Sequence, residues 1–174
     1  MAITPEDIDD KIRNHHPWLR QKSGGRRADF SNADMKGCKL VDTVLIRAEL
    51  LGANISCAKL NGINLSGADL CSSGFSYSDM LGTNLTLADM RGAKLLEANN
   101  LEGTDMREGA LMSYEKGKGG FVSDLYKCTL DNAILCDANL SRANLLRSSI
   151  QNANLTDATP YNAETSGANM APSI

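Results

Sequence analysis

The chain carries an apolar residue at every fifth position over most of its length, and no other feature limits its fold so tightly. Phe30, Met35, Leu40, Leu45, Leu50, Ile55, Leu60, Leu65, Leu70, Phe75, Met80, Leu85, Met90 and Leu95 form an unbroken series. A step of five matches neither common period. On a helix it swings each side chain off the previous one's face, and on a straight strand an odd step sends it to the opposite face. Two residues before each apolar position stands a small one, as at Ala28, Ala33, Cys38, Thr43, Ala48 and Ala53, with Ile63 the one large exception. The register slips by one residue across 96–100 and resumes at Leu101, Met106 and Leu111. It breaks over 112–124 and returns at Leu125, Leu130, Leu135, Leu140, Leu145, Ile150 and Leu155.

A unit this short cannot bury its own apolar residue and has to stack on copies of itself, which makes a solenoid. With a bend in each unit, five residues form one side of a coil, and four sides close a square. The large residue and the small one two before it point inward, and the other three positions face water. Coils stacked like neighbouring strands, about 4.8 Å apart, place Leu upon Leu along the interior.

The composition fits such a rod. Only 5% of the 174 residues are aromatic against 42% hydrophobic, so the core is narrow and built from Leu, Met, Ile and Ala. A net charge of −3 argues against a broad basic nucleic-acid surface. No apolar run approaches the roughly 18 residues of a membrane span, and MAITPEDIDD has neither the basic nor the apolar region of a secretory signal. The five cysteines, Cys38, Cys57, Cys71, Cys128 and Cys136, are irregularly spaced and include no CxxC pair. A cytoplasmic protein with reduced thiols is expected.

The wording A-[D/N]-L-x-x, as in Ala68-Asp69-Leu70 and Ala138-Asn139-Leu140, resembles the pentapeptide repeat family over residues 28 to about 170. The resemblance implies an all-β, right-handed quadrilateral β-helix of about 20 residues per coil. Residues 1–27 lie outside the repeat and are expected to form a cap. Thr4-Pro5-Glu6-Asp7 reads as a helix start, Ile8 and Ile12 as its apolar stripe, and Pro17 as its end. With Trp18 and Leu19 this helix would plug the first coil, whose open edge otherwise invites aggregation. The run from Trp18 to Phe30 also looks like the lead-in of some bacterial and phage members. The expected division is therefore a cap at 1–27, a β-helix at 28–170 with a register break near 96–100 and a loop near 113–123, and a tail at 171–174.

Nothing in the chain reads as catalytic machinery. His15 and His16 lack further metal ligands at sensible spacing and read as polar residues at the end of the helix. Lys116-Gly117-Lys118-Gly119-Gly120 lacks the Walker spacing and reads as a loop, although binding residues concentrate on such loops. Serines and cysteines are plentiful, but no general base stands ready to activate one. No enzyme activity, cofactor or metal is expected.

The outward positions are more informative. Every twentieth residue from Asp29 gives Glu49, Asp69 and Asp89, which at 20 residues per coil form a carboxylate ladder. Like charges at that spacing repel, although Asp is also the repeat's usual residue in that slot. Arg47 and Arg91 stand where they could neutralise part of the ladder, and Lys39 and Lys59 stack elsewhere. Some family members mimic the shape and charge of DNA and bind type II topoisomerases, and the ladder would suit that role. A second candidate surface is apolar: Val41, Val44 and Ile46, with Leu81 and Leu87 two coils further on. The leading expectation is a non-enzymatic scaffold for a protein partner, with a DNA-mimicking topoisomerase binder as the alternative. Direct nucleic-acid binding is not expected, and a homodimer through the last coil remains open.

Overall fold

A computed structural model describes residues 3–90, 93–95, 125–128, 130, 131, 133, 135, 138 and 140–169. It begins with one helix, α1 (Pro5–Leu19). Thr4 caps it: its hydroxyl accepts from the Asp7 N–H at 3.1 Å, while the Asp7 carboxylate takes the Thr4 N–H in return. Pro5 occupies the first turn, where its missing N–H costs nothing. The expectation that Pro17 ends the helix is corrected, because α1 continues to Leu19 with Pro17 inside its last turn. There a proline disturbs only the final turn, and the Arg20 N–H closes it by bonding back to the Pro17 carbonyl at 3.2 Å.

Among the described residues from Ala28 to Leu95, and again from Leu125, the backbone repeats every five residues: two turn residues, an extended residue, a bridge residue and an inward residue. At each corner an N–H reaches back three residues, as from Ala48 to the Leu45 carbonyl at 3.0 Å. The third residue of each corner takes a left-handed φ. It is glycine at Gly62 (φ 69°), but bulky side chains also accept it, as at Arg47 (φ 59°), Tyr77 (φ 61°) and Leu87 (φ 59°).

Parallel bridges join residues 20 apart: Asp34 to Asn54 to Gly74 to Lys94, Lys39 to Lys59 to Asp79, and Val44 to Asn64 to Asn84. Each coil therefore contributes four inward residues, one per side. Phe30, Leu45, Leu50, Leu60, Leu70, Phe75 and Leu85 are all buried, with the small residues Ala48, Ala68 and Ala88 beside them. Where the small residue is a buried Ser or Thr, its hydroxyl stays satisfied by donating to the carbonyl of the preceding side. Ser73 donates to Leu70, Ser78 to Phe75 and Thr83 to Met80, at 2.6 to 2.7 Å.

The coil starting at Leu125 docks on the coil holding Leu95. The Cys128 thiol donates to the Leu95 carbonyl at 2.9 Å, as Thr83 does to Leu60 one coil earlier. The first contact spans 33 residues and the second 23, so the chain returns to the same stacking with extra residues taken up between. The expected slip at 96–100, the loop near 113–123 with Lys116–Gly120, and the tail at 171–174 lie outside the described residues. At the far end Leu135, Leu140, Leu145, Ile150, Leu155 and Ala158 line an apolar hollow of about 100 Å³.

α1 lies over the first coil (residues 28–47). Ile8 is buried in the shared core, with Ile3 and Ile12 packed against it. The Ile3 N–H donates to the Asp34 carbonyl at 3.3 Å, and Lys11 sits 5.9 Å from the Phe30 ring centroid. The reading of His15 as a polar residue at the helix end is also corrected, since His15 is fully buried while His16 is exposed. His15 Nδ1 accepts from the Ala28 N–H at 3.1 Å, and Nε2 lies 3.0 Å from the Ile46 carbonyl. An acceptor at Nδ1 requires the neutral tautomer that donates from Nε2.

Candidate interaction surface

The carboxylate ladder is built by the bridge residue of one side. Asp29 bridges Glu49, Glu49 bridges Asp69, and Asp69 bridges Asp89, all in parallel register, so the four stand in one column. Glu49, Asp69 and Asp89 are each tied by two backbone bonds to the coil before them: the Glu49 N–H donates to the Ala28 carbonyl and its own carbonyl accepts from the Phe30 N–H, at 2.9 and 2.7 Å.

The geometry explains why this slot favours Asp or Asn. Asp29 Oδ1 accepts from the Ser31 N–H at 2.9 Å, and Asp69 Oδ1 from the Cys71 N–H at 3.0 Å. Asn64 and Asn84 make the same bond to Ser66 and Thr86, at 3.1 and 3.0 Å. The side-chain oxygen thus holds the following corner, and an uncharged amide serves as well as a carboxylate. The negative charge on this one side is extra to what the turn requires. At Asp29 the bond from the Ser31 backbone is the main reason its carboxyl stays below the usual Asp range.

Neutralisation comes from a different residue than expected. Arg27, not Arg47, reaches Glu49, with Nη1 2.5 Å from Oε1. Its Nε also donates to the Arg47 carbonyl. Arg91 lies outside the described residues. Lys39 and Lys59 do stack in one column, with Asp79 as the next rung.

The apolar candidates are not drawn into one patch. Val41 and Leu81 are exposed and share a column, but Asn61 stands between them and donates to Asp79 Oδ2 at 3.1 Å. Val44 is half-buried and heads a column continued by Asn64 and Asn84. Ile46 is half-buried, and its carbonyl lies beneath His15. Leu87 is 58% exposed at a left-handed corner. Among the described residues three large exposed hydrophobics lie outside the sequence candidates: Leu51, beside the ladder, Tyr77, at a corner like that of Leu87, and Tyr161, towards the far end. Their signal was simply a large apolar residue in an outward slot.

Among the described residues no group of three or more His, Cys, Asp or Glu side chains is placed to hold a metal ion. No helix among them is long and apolar enough to cross a membrane. Cys38, Cys57, Cys71 and Cys128 form no disulfide among the described residues, and burial pushes Cys38 up to about 11.

A five-residue period, an interior filled by side chains and a 20-residue bridge spacing define a β-helical repeat solenoid. The chain belongs to the pentapeptide repeat family, whose profile it matches in eight copies over residues 28–67, 63–99, 75–108 and 123–159. Members of known structure form right-handed β-helices. The chain is 35% identical to HetL, a pentapeptide repeat protein involved in heterocyst differentiation regulation in the cyanobacterium Nostoc sp. strain PCC 7120. That match covers 82% of this chain and 63% of HetL, with a TM-score of 0.49. It is 15% identical to a trypsin-treated variant of QnrB1, a plasmid-mediated fluoroquinolone resistance protein, over 80% of this chain and 73% of that one, with a TM-score of 0.56. A pentapeptide repeat protein from the cyanobacterium Cyanothece 51142 is 17% identical over 93% of this chain and 98% of its own, with a TM-score of 0.44. No curated protein is similar enough to the chain to count as a match.

Proposed function

We propose that this protein is a non-enzymatic, cytoplasmic scaffold that presents columns of identical spacing to a protein partner. The observation that carries this reading is the division of the coil. Its inward positions are filled by apolar side chains, while its outward bridge positions stack in straight columns. In this reading residues 1–27 are the cap, 28–170 the β-helix and 171–174 a tail. Affinity capture from host extract tests it: a partner should be retained by the native chain and lost on Leu81→Asp with Leu87→Asp or on ladder reversal. Retention of nothing above a bare-resin control would sink the reading.

A second reading, a DNA-mimicking binder of a type II topoisomerase, is favoured by one observation. Four acidic residues stand in one column although an amide satisfies the same turn. QnrB1 is a fluoroquinolone resistance protein, but at 15% identity its likeness supports the fold rather than the activity. A gyrase supercoiling assay, with and without a quinolone, discriminates. Neither inhibition nor protection at micromolar protein removes this reading. Activity that survives reversal of Asp69 and Asp89 removes the ladder as its basis.

A further inference from the structure

His15 stands where the backbone of a preceding coil would be. Along the rod, the small residue of each side donates its N–H to a carbonyl three positions back, as Ala48 does to Leu45. Ala28 donates to His15 Nδ1 instead. The third corner residue of each coil donates its N–H to the next coil, as Arg47 does to the Ser66 carbonyl at 2.9 Å. The equivalent donor for the Ile46 carbonyl would be the Arg27 N–H, and His15 Nε2 occupies that place. One imidazole thus supplies an acceptor and a donor in a geometry that only its neutral form satisfies.

We propose that His15 is an acid-sensitive latch, whose protonation releases α1 from the first coil and opens that coil's edge. A proton on Nδ1 would face the Ala28 N–H, donor against donor, in a fully buried site. The surroundings resist the charge. The ring stacks on Trp18 with centroids 5.2 Å apart, and Arg27 lies 5.9 Å from the other aromatic centre. From α1 the neighbouring titratable group is His16. From the first coil and its lead-in it is Arg27, bonded to the Arg47 carbonyl. Desolvation above all holds the imidazole below its usual range; the bond to the Ile46 carbonyl works against it, and nearby His16 and Arg27 add to it. Release frees the carbonyls of Ile46, Arg47 and Asp34 together, because α1 and the residues that flank it on either side cover all three. Asp7 and Asp29 stay ionised throughout, since hydrogen bonds hold both below the usual Asp range.

The test is amide exchange at Ala28 together with emission from Trp18, the one tryptophan, between pH 7.5 and 5.0. The protection factor at Ala28 should fall as pH drops below about 6.5, by up to about 30-fold at pH 5.0. Trp18 emission should change with it, while amides of the second and third coils keep their protection. His15→Gln should abolish the pH dependence, and His16→Asn should leave it. A dependence that persists in H15Q overturns the latch. So does a native imidazole that titrates by NMR at or above 6.5 with no change at Ala28, a readout independent of whether any variant folds.

Discussion

His15 Nδ1 accepts the Ala28 N–H at 3.1 Å across thirteen residues of sequence, and the same ring meets the Ile46 carbonyl near the end of the first coil. Replacement by alanine removes both partners at once. His15→Ala should cost about 2 kcal/mol or more, the sum of two poorly satisfied backbone groups. His16→Ala, at an exposed position, should change stability little. Urea unfolding of the two variants makes the comparison.

The pH dependence follows from the direction of the shifts. His15 is neutral when folded and protonates more easily when unfolded, so its contribution is complete above about 6.5 and is lost as pH falls toward the depressed folded value. Asp7 and Asp29 are depressed below the usual Asp range, and their contribution is lost only as pH falls further. Thermal midpoints should therefore stay level from pH 8 to about 6.5, decline below it, and decline again below about pH 4. A curve level from pH 8 to 4.5 would contradict the His15 assignment.

Gly25 marks the place where the lead-in crosses the end of α1. A Cβ there would lie 2.3 Å from the Trp18 nitrogen and 2.6 Å from the Pro17 carbonyl carbon, both backbone atoms that cannot swing aside. Gly25→Ala should push α1 off the first coil, which lowers the melting temperature and exposes Trp18 to quenching by acrylamide. Retained shielding would show that the crossing can relax.

How much of this was legible depends on what kind of signal each residue leaves. Leu60 announces itself because fourteen apolar residues share its period. The column of Asp29, Glu49, Asp69 and Asp89 then follows from the 20-residue coil. His15 leaves no such trace, since its partners lie thirteen and 31 residues away and belong to no repeat. One signal was present: His15 is three residues after Ile12 and seven after Ile8, on the apolar stripe of α1. Pairing of Arg27 with Glu49 was hidden for another reason. Arg27 precedes the first repeat, so the column arithmetic that named Arg47 passed over it.

Leu60 is 1% exposed and stacked between inward residues of the coils before and after it. Leu60→Ala should cost about 2–5 kcal/mol by leaving a cavity between coils. An unchanged denaturation midpoint would mean that the residue is not core.

Asp69→Asn separates the ladder's charge from its turn chemistry. The amide oxygen can keep the bond to the Cys71 N–H, as Asn64 does with Ser66. If the column repels itself, the variant should be more stable by a few tenths of a kcal/mol at low salt, with the gain shrinking as salt is added. A loss of stability at low salt would indicate that Asp69 is better paired than its column position suggests.

Because the bridges connect residues 20 apart, the unbroken run of coils that carries the ladder can change length only in quanta. Excision of a whole coil leaves every remaining side facing as before. Excision of a single pentapeptide between Glu49 and Asp69 would turn everything downstream by a quarter revolution. Asp69 would then come to rest beneath Val44, where Asn64 now stands. The ladder is therefore a phase relationship, and indels in multiples of twenty are the ones that preserve it.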